Sequence, residues 1–237
     1  MKNILLRYIS NILLKVNIKP FLNFELVNLF LEYGNLIRNQ KNIKLFENKF
    51  LLYKYINDLV GNGIITYIEF GVYKGESILY WSQLNKNIKS NFFGLDSFEG
   101  LPEDWAVGKK IVQKKGTFNT FGNLPQTDDN RVTFIKGIFQ NTLVKFFNDY
   151  NELFNDTLIF HFDADLYSSE LFCLTQIYNY LKEGSILIFD DFGIVDNDYK
   201  AFKNFCQAFL IDVDIIGVTK NRFMTAAIKI KKIRNYY

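Results

Sequence analysis

From about Phe46 onward, apolar positions alternate between helix-spaced stretches and short continuous runs. Phe50, Tyr53, Ile56 and Val60 recur at three- and four-residue intervals, which predicts a helix over residues 46–60, and Gly61-Asn62-Gly63 ends it. Residues 64–70 form an apolar run rich in β-branched and aromatic side chains, the pattern of a strand buried on both faces. The same reasoning predicts helices over 76–84, 171–181 and 200–210, and strands over 91–95, 132–135, 158–162, 185–189, 212–218 and 223–230. Strands alternating with helices imply a parallel sheet covered on both faces. The tight segment Thr219-Lys220-Asn221 joins the last two strands and therefore reverses the final one. The expected fold is α/β: a doubly wound, mostly parallel seven-stranded sheet with the last strand antiparallel, over residues 46–237, behind a helical extension over residues 1–45. Such sheets bind ligands off the carboxyl ends of their strands, so the residues after each strand carry the functional information.

Two regions fall outside this regular pattern. Near the start, Ile4, Leu5, Tyr8, Ile9, Ile12 and Leu13 follow helical spacing, which suits a helix packed on its own domain or on a second subunit of a homo-oligomer. Lys2 and Arg7 precede a short apolar stretch that Ser10 and Asn11 interrupt, and no small-residue cleavage site follows, so a signal peptide is not expected. The second region, residues 100–131, shows little periodicity and carries Lys109, Lys110, Lys114 and Lys115. A long irregular loop in a compact domain is either a solvated surface segment or a lid. As a lid it would bring its lysines to the phosphates of a substrate.

Composition narrows the function classes. With 49% hydrophobic and 22% charged residues the 237-residue chain can bury a large core. A net charge of +3 is too small to argue for nucleic acid, and no run of 18 apolar residues offers a membrane span. The two cysteines, Cys173 and Cys206, lie in helical stretches beside large apolar residues. They are expected to be free thiols of a cytoplasmic protein.

The strand ends carry the candidate chemistry. After the first long strand comes Glu69-Phe-Gly71-Val-Tyr73-Lys-Gly75-Glu-Ser77. Two glycines four apart let the backbone turn sharply and approach a ligand. The helix that follows presents free N–H groups to a carboxylate or phosphate, and Glu69 can accept from a cationic amine, so the pair of features matches an amino acid. Asp96 ends the second strand, where an acid can take the hydroxyls of a ribose, in a dinucleotide or in another adenosine cofactor; alternatively it caps the next turn. Asp163 and Asp165 follow the fourth strand, and Asp190 and Asp191 the fifth. Four carboxylates in one crevice cannot all stay ionised without a cation, and oxygen ligands favour Mg²⁺ or Mn²⁺. His161, the single histidine, lies between Phe160 and Phe162 and is expected to be a core residue.

In combination, Glu69-Phe-Gly-Val-Tyr-Lys-Gly75, Phe93-Gly-Leu-Asp-Ser-Phe-Glu-Gly-Leu-Pro102, Ile135-Lys-Gly-Ile-Phe139 with Thr142-Leu143, Asp163-Ala-Asp-Leu-Tyr167 and Asp190-Asp191 resemble the macrocin O-methyltransferase family. Those Rossmann-like class I enzymes methylate sugar hydroxyls with S-adenosylmethionine. The resemblance spans about residues 67–205. It implies that Glu69, Gly71, Tyr73, Gly75 and Ser77 hold the methionine end of the cofactor, with Asp96 on the ribose and Ser97 and Phe98 nearby. Gly137 and Phe139 would line the adenine side. Asp163, Asp190 and Asp191 would hold a divalent metal, and Asp165 would be the general base. The implied acceptor is a small sugar, nucleotide-linked or part of a glycan or natural product. A metal-dependent nucleotide-sugar glycosyltransferase using Asp163-Ala-Asp165 is the alternative, but it leaves the glycine turn and Asp190-Asp191 without a role.

Overall fold

The computed structural model describes residues 24–39 and 43–234; the N-terminal apolar face from Ile4 to Leu13 lies outside them. In chain order the elements are α1 (Phe24–Asn39), β1 (Lys44–Phe46), α2 (Lys49–Leu59), β2 (Ile65–Phe70), α3 (Glu76–Leu84), β3 (Asn91–Asp96), β4 (Trp105–Val107), β5 (Lys110–Gln113), β6 (Val132–Lys136), α4 (Phe139–Asp149), β7 (Thr157–Phe162), α5 (Tyr167–Ile177), β8 (Ile186–Phe189), a π-helical turn (Val195–Tyr199), α6 (Lys200–Ala208), β9 (Ile211–Thr219) and β10 (Ala226–Ile233).

The main sheet has the order β1-β9-β10-β8-β7-β2-β3-β6. All its neighbours pair in parallel except β10, which runs antiparallel to both β8 and β9. The doubly wound reading with a reversed last strand therefore holds, with eight strands instead of seven. The extra strand, β1, is only three residues long and crosses the boundary expected between residues 45 and 46. A strand that short shows no period. The amphipathic helix α4, which buries Leu143, Phe146 and Phe147, was also absent from the expected elements.

The pleat of the central strands builds two cores. In β2, Ile65 and Tyr67 face one side and Ile68 and Phe70 the other, as alternation requires. The first side is covered by α2 and α3, through Leu52, Tyr53, Ile56, Ile78 and Trp81. The second is covered by α4, α5 and α6, through residues such as Phe146, Leu174 and Phe205. Helix α1 joins this second layer, where Tyr33 meets Phe192 and Tyr199 edge-on at 5.8 and 5.2 Å. With helices on both faces, the open ground lies off the strand ends.

The expected irregular loop over 100–131 is folded. Strands β4 and β5 form a hairpin, Glu99 bridges Asn119, and Arg131 ties the far end down by donating to the carbonyls of Ser82, Asn85 and Asn87. Strands of three and four residues, one partly buried and the other mostly exposed, are too short to register in a hydropathy pattern.

Candidate active site

A cavity of about 660 Å³ opens off the carboxyl ends of the parallel strands, within the range of roughly 300–1,000 Å³ usual for small-molecule sites. One wall is the turn after β2. Gly71 has φ +90°, and a Cβ there would lie 1.9 Å from the carbonyl oxygen of Asp163. Only glycine permits that approach, so the glycine turn rests directly on the acidic loop after β7. Gly75 at φ +83° begins α3, and a Cβ on it would meet Pro125 at 2.8 Å. Gly75 is not among the cavity-lining residues; it shapes the turn and packs against the lid.

Asp96 at the tip of β3 braces this wall from inside. One carboxylate oxygen accepts the backbone N–H groups of Val72 and Tyr73, each at 2.8 Å, and the other accepts that of Phe98 at 2.7 Å. The turn-capping alternative thus describes much of what Asp96 does, and its side chain still borders the cavity beside Ser97. Phe98 departs from expectation. Its ring is fully buried in the core under α3, edge-on to Phe134 at 6.3 Å, because the left-handed backbone at φ +56° turns it inward. It does not line the cavity. Glu69, Tyr73, Ser77, Gly137 and Phe139 do, and Tyr73 also meets Phe118 of the lid at 5.5 Å.

The opposite wall is acidic. Asp163, Asp165 and Asp191 each offer a carboxylate oxygen, and these three atoms lie within 4.8 Å of one another. Asp165 sits at the centre of a tight turn: its φ is +61° and Leu166 N–H donates to the carbonyl of Ala164 at 2.6 Å. A non-glycine residue held in this left-handed region marks an over-determined site. Burial raises the carboxyl of Asp165 to about 9, helped by the charges of Asp163 and Asp191. Burial and the charge of Asp190 raise Asp191 to about 6, and Asp163 is raised for the same two reasons. Three carboxyls that each disfavour ionisation suit a divalent cation with oxygen ligands.

Asp190 stands apart from this trio in the structure. Adjacent residues at a strand end point to opposite faces, so Asp190 and Asp191 part company. Asp190 pairs with Lys49 at 3.1 Å, accepts from Thr225 at 3.3 Å and lies 3.9 Å from His161. Burial works against its charge, but His161 and then Lys49 bring it down to about 2.

His161 is fully buried, as expected, and it is also the centre of a polar network. Its Nδ1 lies 2.7 Å from the Tyr67 hydroxyl and 3.3 Å from Glu69, and its Nε2 lies 3.3 Å from the Tyr53 hydroxyl. Burial opposes a charge on the ring, yet Asp190 and Glu69 on either side raise it to about 10. This network, with Ser77 3.5 Å from Tyr53, fixes Glu69 behind the glycine turn. Lys49, a cavity-lining cation, is a residue that sequence reasoning missed. It lies in the first turn of a helix whose N-cap is Asn48, and no motif marks it.

The lid lysines correct a second expectation. Lys109, Lys110, Lys114 and Lys115 are all exposed, none lines the cavity, and Lys114 pairs with Asp104 at 2.9 Å. The lid contributes Leu101, Trp105 and Phe118 to the cavity instead.

A doubly wound sheet with one reversed strand, a glycine turn after the central strand and an acid after its neighbour define a nucleoside-cofactor-binding enzyme. The family model described as macrocin O-methyltransferase matches residues 51–223, and the chain belongs to that family. It is an S-adenosylmethionine-dependent O-methyltransferase, and the glycosyltransferase alternative finds no support. Among solved structures the chain is similar to CalS11, a calicheamicin methyltransferase, at 18% identity over 86% of this chain and 91% of that one, with a TM-score of 0.60. The apo structure of CalS11, described as a TDP-rhamnose 3'-O-methyltransferase, aligns at 19% identity over 86% and 93% of the two chains, TM-score 0.53. The O-methyltransferase NovP aligns at 20% identity over 78% and 80%, TM-score 0.54. At these identities the likeness attests the fold. No curated protein sequence matches the chain significantly.

Proposed function

We propose that this enzyme methylates a hydroxyl of a small sugar, presented as a nucleotide-linked sugar, with the help of a divalent ion. The observation that carries the reading is the convergence of Asp163, Asp165 and Asp191 on a cavity whose facing wall is the glycine turn. Asp163 and Asp191 would hold Mg²⁺ or Mn²⁺. A bound divalent ion lowers the pKa of a hydroxyl and orients it.

The rest is done by the chain's own groups. Glu69, Gly71, Tyr73 and Ser77 would take the methionine end of the cofactor, Asp96 and Ser97 the ribose, and Gly137 and Phe139 the adenine. Bound there, S-adenosylmethionine would supply the methyl group, an O–C bond replacing the C–S bond and S-adenosylhomocysteine being the leaving product. With the ion in place of the proton that burial otherwise keeps on it, Asp165 would take the hydroxyl proton. Packing of Leu101, Trp105 and Phe118 over the cavity would exclude water and hold the oxygen in line, about 3 Å from the methyl carbon.

The nucleotide-linked sugar is supported by the TDP-rhamnose activity that names CalS11; the lid lysines no longer support it. The free thiols Cys173 and Cys206 fit a cytoplasmic location, and among the described residues no helix is long and apolar enough to cross a membrane. Residues 1–45 would serve as a cover for the acceptor or as a contact in a homo-oligomer. Labelled S-adenosylmethionine incubated with a panel of nucleotide sugars tests the acceptor class: label is expected in a sugar nucleotide, and label only in free or glycan sugars would overturn that part. Thermal stabilisation by S-adenosylhomocysteine, with or without a nucleoside diphosphate, tests the cofactor site independently.

A further inference from the structure

Behind the acidic trio lie two more carboxylates that the proposed reaction leaves unused. Glu170, on α5, is 0% exposed, and Asp198, in the π-helical turn, is 1% exposed. Each accepts one main-chain N–H from a loop that carries the trio. Glu170 Oε1 takes the N–H of Ala164, the residue between Asp163 and Asp165, at 3.0 Å. Asp198 Oδ2 takes the N–H of Asp191 at 3.2 Å. The remaining oxygens, Glu170 Oε2 and Asp198 Oδ1, are buried without a hydrogen-bond partner.

A buried carboxylate with an unpartnered oxygen is expensive to keep, and packing alone does not call for one: an apolar side chain would fill either position at lower cost. What the two acids do provide is an acceptor at two backbone sites that need one. The turn around Asp165 runs at φ +61°, and Ala164, which carries the N–H that Glu170 receives, also closes the 2.6 Å bond of that turn through its carbonyl. Asp191 must turn away from its neighbour Asp190, which Lys49 holds on the other face. Asp198 is itself held from the far side, because the two residues before it grip the lid hairpin. Asp196 accepts the N–H of Gly108, and Asn197 donates to the carbonyl of Ala106 at 3.1 Å.

We infer that Glu170 and Asp198 are positioning residues for the metal-and-acceptor end of the site, each aiming one acidic loop by accepting its backbone N–H. This inference rests on the proposal that Asp163 and Asp191 hold a divalent ion beside Asp165. Groups of this kind, one step behind the ligands, typically govern metal affinity by about 10–100-fold.

The test uses two pairs of variants in the full chain. Glu170→Met and Asp198→Leu remove the acceptor and the buried carboxyl but keep an apolar side chain of similar size; Glu170→Gln and Asp198→Asn keep an acceptor oxygen. Mn²⁺ affinity is read by electron paramagnetic resonance titration, S-adenosylhomocysteine affinity by calorimetry, and the thermal midpoint on the same samples. The apolar variants are expected to lose about 10–100-fold in Mn²⁺ affinity, with S-adenosylhomocysteine affinity within about twofold and a midpoint no lower than that of the wild type. The amide variants should stay within about threefold for Mn²⁺, because the acceptor remains. Three results would overturn the inference: unchanged Mn²⁺ affinity in the apolar variants, amide variants as weak as the apolar ones, or parallel losses of midpoint and S-adenosylhomocysteine affinity, which would mark a role in folding alone. A wild-type chain that binds no Mn²⁺ would instead refute the metal reading itself, and this inference with it.

Discussion

The glycine turn over residues 69–77 and the lid over residues 100–131 face the same cavity, and they differ in how each is tied to the rest of the site. The turn is fixed by backbone: Gly71 touches the main chain of Asp163, and Asp96 gathers the N–H groups of Val72 and Tyr73. The lid is held mainly by its own backbone, through the β4–β5 hairpin and bonds such as Leu101 N–H to the Thr117 carbonyl. It meets the turn through side chains, Phe118 on Tyr73, while its outer face carries exposed pairs such as Lys114 on Asp104. Backbone approach demands particular residues, whereas surface contacts tolerate many. The difference teaches that the cofactor end should be intolerant of change and the outer face of the lid permissive.

The largest effect should come from Gly71→Ala. A Cβ there collides with the Asp163 carbonyl at a φ that L residues rarely adopt, so a destabilisation of roughly 2–4 kcal/mol is expected, together with loss of S-adenosylhomocysteine binding. A thermal melt and calorimetry on one sample check both, and an alanine variant of ordinary stability would break the comparison. Next is Asp96→Asn, which weakens charge-assisted bonds to the turn at one oxygen and removes an acceptor at the other. S-adenosylhomocysteine affinity should fall by about 10–100-fold, measured by calorimetry.

A smaller effect is expected from pH. Burial, then the charges of neighbouring acids, raises Asp165 to about 9 and Asp191 to about 6. Above the ordinary carboxylate range the metal-free native state therefore holds protons that the unfolded chain has lost, so its stability rises as pH falls from about 9 towards 5. Saturating Mg²⁺ should flatten the slope, because the ion replaces those protons. Melting curves at several pH values, with Mg²⁺ and with chelator, decide this. The smallest effect is Lys110→Ala with Lys114→Ala on the lid: the Michaelis constant for a nucleotide sugar should change by less than about twofold, because exposed pairs contribute little. A several-fold rise would restore the phosphate-binding reading of the lid and erase the contrast.

What sequence could show follows the same division. Long apolar runs and turn residues revealed the central strands, the reversed last strand and the strand-tip acids, since burial and backbone geometry restrict those positions to few residue types. β1, the lid hairpin and α4 escaped, the first two for being too short to show a period. The pairing of Asp190 with Lys49 also escaped. It depends on which way consecutive side chains point at a strand end and on a lysine more than a hundred residues away. Phe98 misled because a left-handed residue turns its side chain away from where its neighbours lead.

The central claim is that one cavity joins a cofactor wall and an acidic wall that act separately. Asp163→Ala measures this most directly, with Mn²⁺ affinity, S-adenosylhomocysteine affinity and turnover determined on the same protein. Turnover and Mn²⁺ affinity should both fall by more than ~100-fold, with S-adenosylhomocysteine bound as in the wild type. Unchanged Mn²⁺ affinity, or a matching loss of S-adenosylhomocysteine, would contradict it.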